Sequence, residues 1–167
     1  SFNVSGVKTS PSRIDLKEAV EIDTGWAAIG QYTTLVNPLN FMMIAGCIAS
    51  GGSTPTPYFV QEALTEITGN FSTNSLLNES TANTLKTMMR NNVINNYGDS
   101  RFPGMEFGGK TGTAQISGEK SHAWFFGFSC AEDFPYAIVV VSENSGGGSE
   151  IAVPIASKVM KELKNSL

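Results

Sequence analysis

A chain of 167 residues, 41% of them hydrophobic, is one domain's worth of ordinary globular sequence or less. Eleven Lys and Arg against 15 Asp and Glu give a formal charge of -4, and no basic run exists to neutralise phosphates; this argues against nucleic-acid and anionic-membrane partners. The longest apolar stretch, residues 41–49, is far too short to span a bilayer, and a single His leaves metal chemistry unsupported.

In chain order, residues 1–24 are polar, with Pro11 and scattered charge, and read as a connecting segment with a short amphipathic piece at 14–20. Pro38 suits the first turn of a helix. Leu39, Met42, Met43, Gly46 and Cys47 then recur at helical spacing until Gly51 and Gly52 stop it. Tyr58, Phe59 and Val60 read as a short strand or extended crossing. Asn78 can cap a second helix with Leu85, Met88, Met89 and Val93 as its buried stripe. Strand signals follow at 105–115, 123–130 and 136–142, the last two as nearly continuous apolar runs that suit strands covered on both faces. A final helix carries Ile151, Ile155, Val159 and Leu163 at four-residue spacing and is expected to pack across that sheet. Two helices, an antiparallel three-strand meander and a closing helix make an α+β layered arrangement. Cys47 and Cys130 read as small buried thiols rather than a bridge or a metal site.

Residues 104–111, GMEFGGKT, match the phosphate-cradling pattern G-x-x-x-x-G-K-[ST] in full. A phosphate loop must open a helix, because the N–H groups at the helix start hold the anion. After Lys110 the chain reads Thr-Gly-Thr-Ala-Gln-Ile-Ser-Gly, a poor first helical turn and a good strand-to-loop passage. The lead-in at 95–103 is turn chemistry rather than a strand. The nucleotide reading therefore loses to one in which Lys110, Thr111, Gly112 and Thr113 lie on a strand.

With its neighbours, that strand resembles the transpeptidase domain of penicillin-binding proteins. These enzymes place Lys-Thr-Gly-Thr on the strand bordering their active site. Ala28-Ile29-Gly30-Gln31, followed by Asn37-Pro38-Leu39-Asn40 and a small-residue helix, resembles the middle of the domain. His122-Ala123-Trp124-Phe125-Phe126-Gly127-Phe128 resembles its next strand. Glu143-Asn144 with Gly146-Gly147-Gly148 resembles the turn out of its last strand. Four blocks in register, from about Ile22 onward, are a far stronger signal than Lys-Thr-Gly alone. The Ile-Gly-Gln block fits the monofunctional class B enzymes best.

The resemblance implies the C-terminal part of a penicillin-binding protein/serine β-lactamase-like fold, with residues 1–24 connecting and residues 25–167 in the domain. In that family an S-x-x-K serine is the nucleophile and an S-x-N motif follows, both upstream of the Ile-Gly-Gln block. Ser1 lies too close to that block for either to precede it, so this piece alone is expected to be inactive. Four short matches are decoys: Ser5 with Lys8, Ser117 with Lys120, Ser72 with Asn74, and Ser142 with Asn144. Gly6 and Pro11 prevent a stable helix at the first, the second falls in turn-forming sequence, and the last two come in the wrong order for the family.

The resemblance further implies a peptidoglycan D,D-transpeptidase that cross-links stem peptides through an acyl-serine after D-Ala-D-Ala and binds β-lactams, without metal or organic cofactor. It would work at the extracytoplasmic face of the bacterial membrane, anchored through a segment outside this chain. Lys110 takes the electrostatic role. Thr111 and Thr113 hydroxyls bind a terminal carboxylate, Gly112 permits close approach, and the Thr113 N–H serves the oxyanion hole. Gln115 lines the cleft. Gln31 is expected to make local hydrogen bonds at a helix start, His122 to be a strand-start residue, and Trp124, Phe125 and Phe126 to fill a core. The glycines at 146–148 read as an active-site rim or simply a turn. The edge of the last strand would be open and liable to pair with another copy. Competing readings are a β-lactam sensor or non-catalytic relative, and a serine β-lactamase or D,D-carboxypeptidase of the same fold.

Overall fold

A computed structural model describes residues 3–4, 6–54, 57–58 and 74–167. Phe59 and Val60 of the expected crossing, and Ser5, Ser72 and Thr73 of the decoy motifs, lie outside these. The amino-terminal strands β1 (Asn3–Val4) and β2 (Val7–Lys8) form a small hairpin. Helix α1 (Glu21–Ala28) follows, where no helix is expected from the sequence. Its pattern gave no stripe because little of it is buried; Ala27 is, while Ile22 and Trp26 stay exposed. The chain around it is tied down by backbone bonds between Arg13 and Leu35 at 2.8 and 2.9 Å, and by Asn37 Nδ2 donating to Ser10 O at 2.7 Å.

Helix α2 (Pro38–Ala49) begins as its caps dictate. The Asn37 side chain accepts from the Leu39 N–H at 2.9 Å and Pro38 occupies the first turn. Gly51 and Gly52, with φ of 78° and 107°, end it and lead into β3 (Ser53–Thr54), which pairs with β4 (Asn74–Ser75). A Cβ on Gly52 would lie 2.2 Å from the Leu77 carbonyl oxygen, so only glycine makes this turn. Helix α3 (Glu79–Asn92) starts at Asn78, whose side chain accepts from Thr81 N–H at 2.8 Å, and ends in a π-turn, Val93–Tyr97.

The main sheet has the order β5-β6-β7, all antiparallel: β5 (Gly108–Ala114), β6 (His122–Phe128) and β7 (Ala137–Ser142). Its register runs Gly108 opposite Phe128 to Ala114 opposite His122, then Ala123 opposite Ser142 to Phe128 opposite Ala137. The first strand is shorter than the 105–115 expected, because Glu106 at φ 46° breaks the extended run; Met105 and Phe107 turn into the core instead. Helix α4 (Val153–Ser166) closes the fold after a π-turn at Gly148–Ala152.

Two cores sandwich β6. On one face Phe125 packs with Phe102, Phe107, Val153, Ala156 and Met160; on the other Phe126 and Phe128 meet Ala45, Ile48 and Met89. Strand β6 is thus covered on both faces as expected, whereas each residue of β7, at the sheet edge, is half-buried.

The inward faces of the helices differ in part from those expected. In α4 the inward residues are Val153, Ala156, Ser157 and Met160, while Ile155 is 41% and Val159 49% exposed. A spacing of four advances about 40° per step, and the π-turn across Ile151 resets the phase of the helix beyond it. In α3 Met89 and Val93 are buried but Met88 is 62% exposed; in α2 Ala45, Cys47 and Ile48 are inward and Met42 is not. Cys47 and Cys130 are free thiols, and half-burial pushes the Cys130 thiol above its ordinary value.

The end of α3 is latched to the chain leading into β5 by Arg90, whose Nη1 and Nη2 donate to Asp99 at 2.6 and 3.0 Å. The guanidinium hydrogen bonds hold the Asp99 carboxyl below its ordinary value of 3.8. A lowered carboxylate pKa means stabilisation that is complete above the unfolded value and lost as pH falls through the folded one. Since the Asp99 side chain is 51% exposed, Asp99→Asn is expected to cost no more than about 1 kcal/mol at neutral pH. Urea midpoints should show this gap, and it should close on acidification from pH 3.8 downward. A gap that persists at pH 2, on the order of the neutral one, would mean the side chain acts otherwise.

Candidate active site

Strand β5 is one edge of the sheet, and its sequence is Gly108-Gly109-Lys110-Thr111-Gly112-Thr113-Ala114. It continues as a strand after Lys110, so the GMEFGGKT match opens no helix and cannot cradle a phosphate. Alternation sends Thr111 and Thr113 to the face that carries Phe125 and Ala123, and Lys110 and Gly112 to the face of Phe126 and Trp124. Lys110 is exposed, and its Nζ donates to the Thr111 carbonyl at 2.8 Å.

In an antiparallel strand a residue's N–H and C=O point to the same side. Thr111 and Thr113 use theirs away from β6. The Thr111 N–H donates to the Tyr97 hydroxyl at 3.1 Å, and the Thr113 carbonyl accepts from Gln31 Nε2 at 2.9 Å. The Thr113 N–H therefore also faces outward from the sheet. Beside this edge lies a groove of about 330 Å³ lined by Gln31, Thr111, Thr113, His122 and Trp124, with Phe41 at its base.

Gln31 does not make the local bonds expected of it. Its carboxamide crosses 82 residues to Thr113 and accepts from the Gln115 N–H at 3.3 Å, so one side chain covers an acceptor and a donor two residues apart. A neighbouring parallel strand would bond in the same way. Gln115 thus meets Gln31 through its backbone at the end of the edge. His122 begins β6, and its Nδ1 accepts from the Asn144 N–H at 2.9 Å. The Ser145 and Gly146 N–H groups both donate to Ser121 O at 3.0 Å, so this end of β6 holds the turn after β7, where Asn144 is left-handed with φ 49°. Gly148 packs beneath the sheet: a Cβ there would lie 2.6 Å from the carbonyl oxygens of both Gly112 and Trp124. Of the aromatic run, Phe125 is core, Phe126 stacks on Phe41 at 5.0 Å, and Trp124 meets Phe41 edge-on while lining the groove.

Sequence reasoning gave no role to Asn92 and Tyr97. Asn92 Nδ2 donates to Gly109 O at 2.8 Å and to the Tyr97 hydroxyl at 3.0 Å, while the Tyr97 and Thr111 hydroxyls lie 2.9 Å apart. Burial opposes ionisation of Tyr97, but the bonds from Thr111 and Asn92 and the Lys110 charge outweigh it and hold the phenol below its ordinary value. The sign that marks them is structural rather than sequential: Tyr97 closes a π-turn, and π-turns concentrate at functional sites. Of the decoys, Ser117 lies in the turn between β5 and β6, and Ser142 ends β7.

Sheet order, closing helix and a Lys-Thr-Gly-Thr edge strand beside a groove together define a class. This chain belongs to the penicillin-binding protein transpeptidase domain family, whose model matches residues 2–161. It is 27% identical over 173 residues to the peptidoglycan D,D-transpeptidase PbpA of Mycolicibacterium smegmatis, an alignment covering 90% of this chain and 35% of that protein. Penicillin-binding protein A from M. tuberculosis, solved as an imipenem acyl-enzyme complex, matches 94% of this chain and 37% of its own, with a TM-score of 0.75 and 26% identity. The D,D-transpeptidase domain of a peptidoglycan glycosyltransferase from Eggerthella lenta shares the fold, with a TM-score of 0.77 at 21% identity over the whole of this chain and 45% of its own. The chain thus spans little more than a third of the length of the two mycobacterial relatives.

Proposed function

We propose that this chain forms one wall of the active site of a serine-type peptidoglycan D,D-transpeptidase. Residues 25–167 are the C-terminal part of its catalytic domain, and 1–24 lead into it. In the reaction, a serine hydroxyl from the remainder of the protein attacks the carbonyl of the penultimate D-Ala. Terminal D-Ala leaves with the proton, and the amine of a second stem peptide then takes the acyl group and restores the hydroxyl. A β-lactam would acylate the same serine.

The observation that carries this reading is the outward-facing edge of β5. The Thr113 N–H faces outward there and would serve as a donor to a developing oxyanion, with the Lys110 ammonium on the adjoining rim. Thr111 and Thr113 hydroxyls would take the terminal carboxylate. Gly112 would allow close approach of substrate to the strand, and Gln115, held by Gln31 through its backbone, would lie at the end of the cleft. The family membership and the acyl-enzyme structures of relatives support the chemistry. Among the described residues no helix is long and apolar enough to cross a membrane. Work at the extracytoplasmic face of the bacterial membrane, with an anchor in the remainder of the protein, belongs to the same proposal. So does strand addition at the half-buried edge of β7, by the remainder of the protein or by a second copy.

Intact mass spectrometry of the complete protein after incubation with benzylpenicillin tests the reading. A long-lived adduct on one serine outside this chain is the expected result. No adduct, or an adduct on Ser5 or Ser117, would overturn it.

A further inference from the structure

The hydrogen bonds around Tyr97 determine where each proton sits. The Gly109 carbonyl can only accept, so the Asn92 atom 2.8 Å from it is the amide nitrogen, and that amide is not flipped. Asn92 Oδ1 accordingly accepts from Asn96 Nδ2 at 2.8 Å. The second amide proton of Asn92 goes to the Tyr97 oxygen at 3.0 Å. The backbone N–H of Thr111 can only donate, and it also ends on the Tyr97 oxygen, at 3.1 Å. A phenolic oxygen has two lone pairs and one proton. Both acceptor positions are taken, so the Tyr97 O–H must donate, and its remaining neighbour is Thr111 Oγ1 at 2.9 Å. Thr111 Oγ1 is then an acceptor toward Tyr97, and its own proton is left for another partner at the strand edge.

Resting on the transpeptidase reading above, we propose that Tyr97 is a positioning residue that holds the Thr111 hydroxyl as a hydrogen-bond donor toward the substrate's terminal carboxylate. A threonine hydroxyl left to itself can rotate to accept or to donate, and an anion rewards only the donor. Tyr97 settles that choice before substrate arrives. It is itself held by Asn92 at the end of α3, by its place in the π-turn and by its edge-on contact with Phe125 at 5.9 Å. Preorganised donors of this kind avoid the cost of reorienting when charge appears.

The test compares acylation of the complete protein by benzylpenicillin, which carries a free carboxylate, and by its methyl ester. Tyr97→Phe should lower the ratio of the two second-order rate constants about three- to tenfold, the range for one charge-assisted hydrogen bond made less ready. Thr111→Val should lower the same ratio, and adding Tyr97→Phe to it should lower the ratio no further. A structural role alone would slow both compounds by one factor and leave the ratio unmoved; that result, or additive effects in the double variant, overturns the proposal. If Tyr97→Phe proves unstable by thermal unfolding, Asn92→Ala, which frees one acceptor position on Tyr97, supplies the same ratio: a fall supports the proposal and no change overturns it. A wild-type protein that forms no penicillin adduct instead refutes the transpeptidase reading beneath it.

Discussion

Replacing Lys110 by alanine in the complete protein should lower the second-order rate of penicillin acylation on the order of 10²–10³-fold, the usual consequence of deleting one electrostatic partner of a developing charge. The fold should not notice. Lys110 is exposed, and its side chain bonds to the carbonyl of the next residue at 2.8 Å, a contact that water can replace. A surface substitution of this kind shifts stability by about 0.5 kcal/mol or less. Lys110→Arg keeps the charge but exchanges a compact ammonium for a planar fork, so it should recover part of the rate rather than all of it. A loss of less than about threefold in Lys110→Ala, with thermal unfolding unchanged, would remove Lys110 from the catalytic set.

Phe125→Ala should destabilise the chain by about 3–5 kcal/mol, lowering Tm by roughly 6–20 °C. The side chain is fully buried at the centre of β6, stacked with Phe102 and Phe107 at centroid distances of 6.1 and 6.2 Å and meeting Tyr97 edge-on. It also fills the space above β5, since a Cβ on Gly109 would sit 2.5 Å from its ring. Deleting the ring leaves a cavity between the central strand and the residue that orients Thr111, so stability and site geometry should fail together. Calorimetric melting of the complete protein checks the magnitude; a cost under about 1.5 kcal/mol would mean the neighbouring aromatic rings collapse into the space.

Several features were legible because their causes are local. The Asn78 cap, Pro38 in a first turn and the glycine stop at Gly51 and Gly52 are satisfied within a few residues, and all appear where the sequence places them. The strands of the meander were found for a related reason. Strand β6 is covered on both faces, so its apolar run is unbroken and needs no knowledge of its partners. Helix α1 was missed because its exposed apolar residues make no stripe. The stripe of α4 was misjudged by a rotation, and in α3 Met88 proves exposed beside inward Met89 and Val93, since apolar residues outnumber the buried positions and spacing alone does not say which are inward.

Local sequence therefore suffices for the two middle helices, the three-strand meander, the closing helix, the free thiols, and the strand on which Lys110, Thr111, Gly112 and Thr113 sit. Which edge of that strand faces outward, and what covers it, depends on the packed molecule. Gln31 meets Thr113 and Gln115 across 82 and 84 residues, and Tyr97 meets Thr111 across 14. Such pairings carry no periodicity. A glutamine or a tyrosine in a turn-rich segment is free to bond anything within reach, and what comes within reach is set by how α2, α3 and α4 pack on the two faces of the sheet.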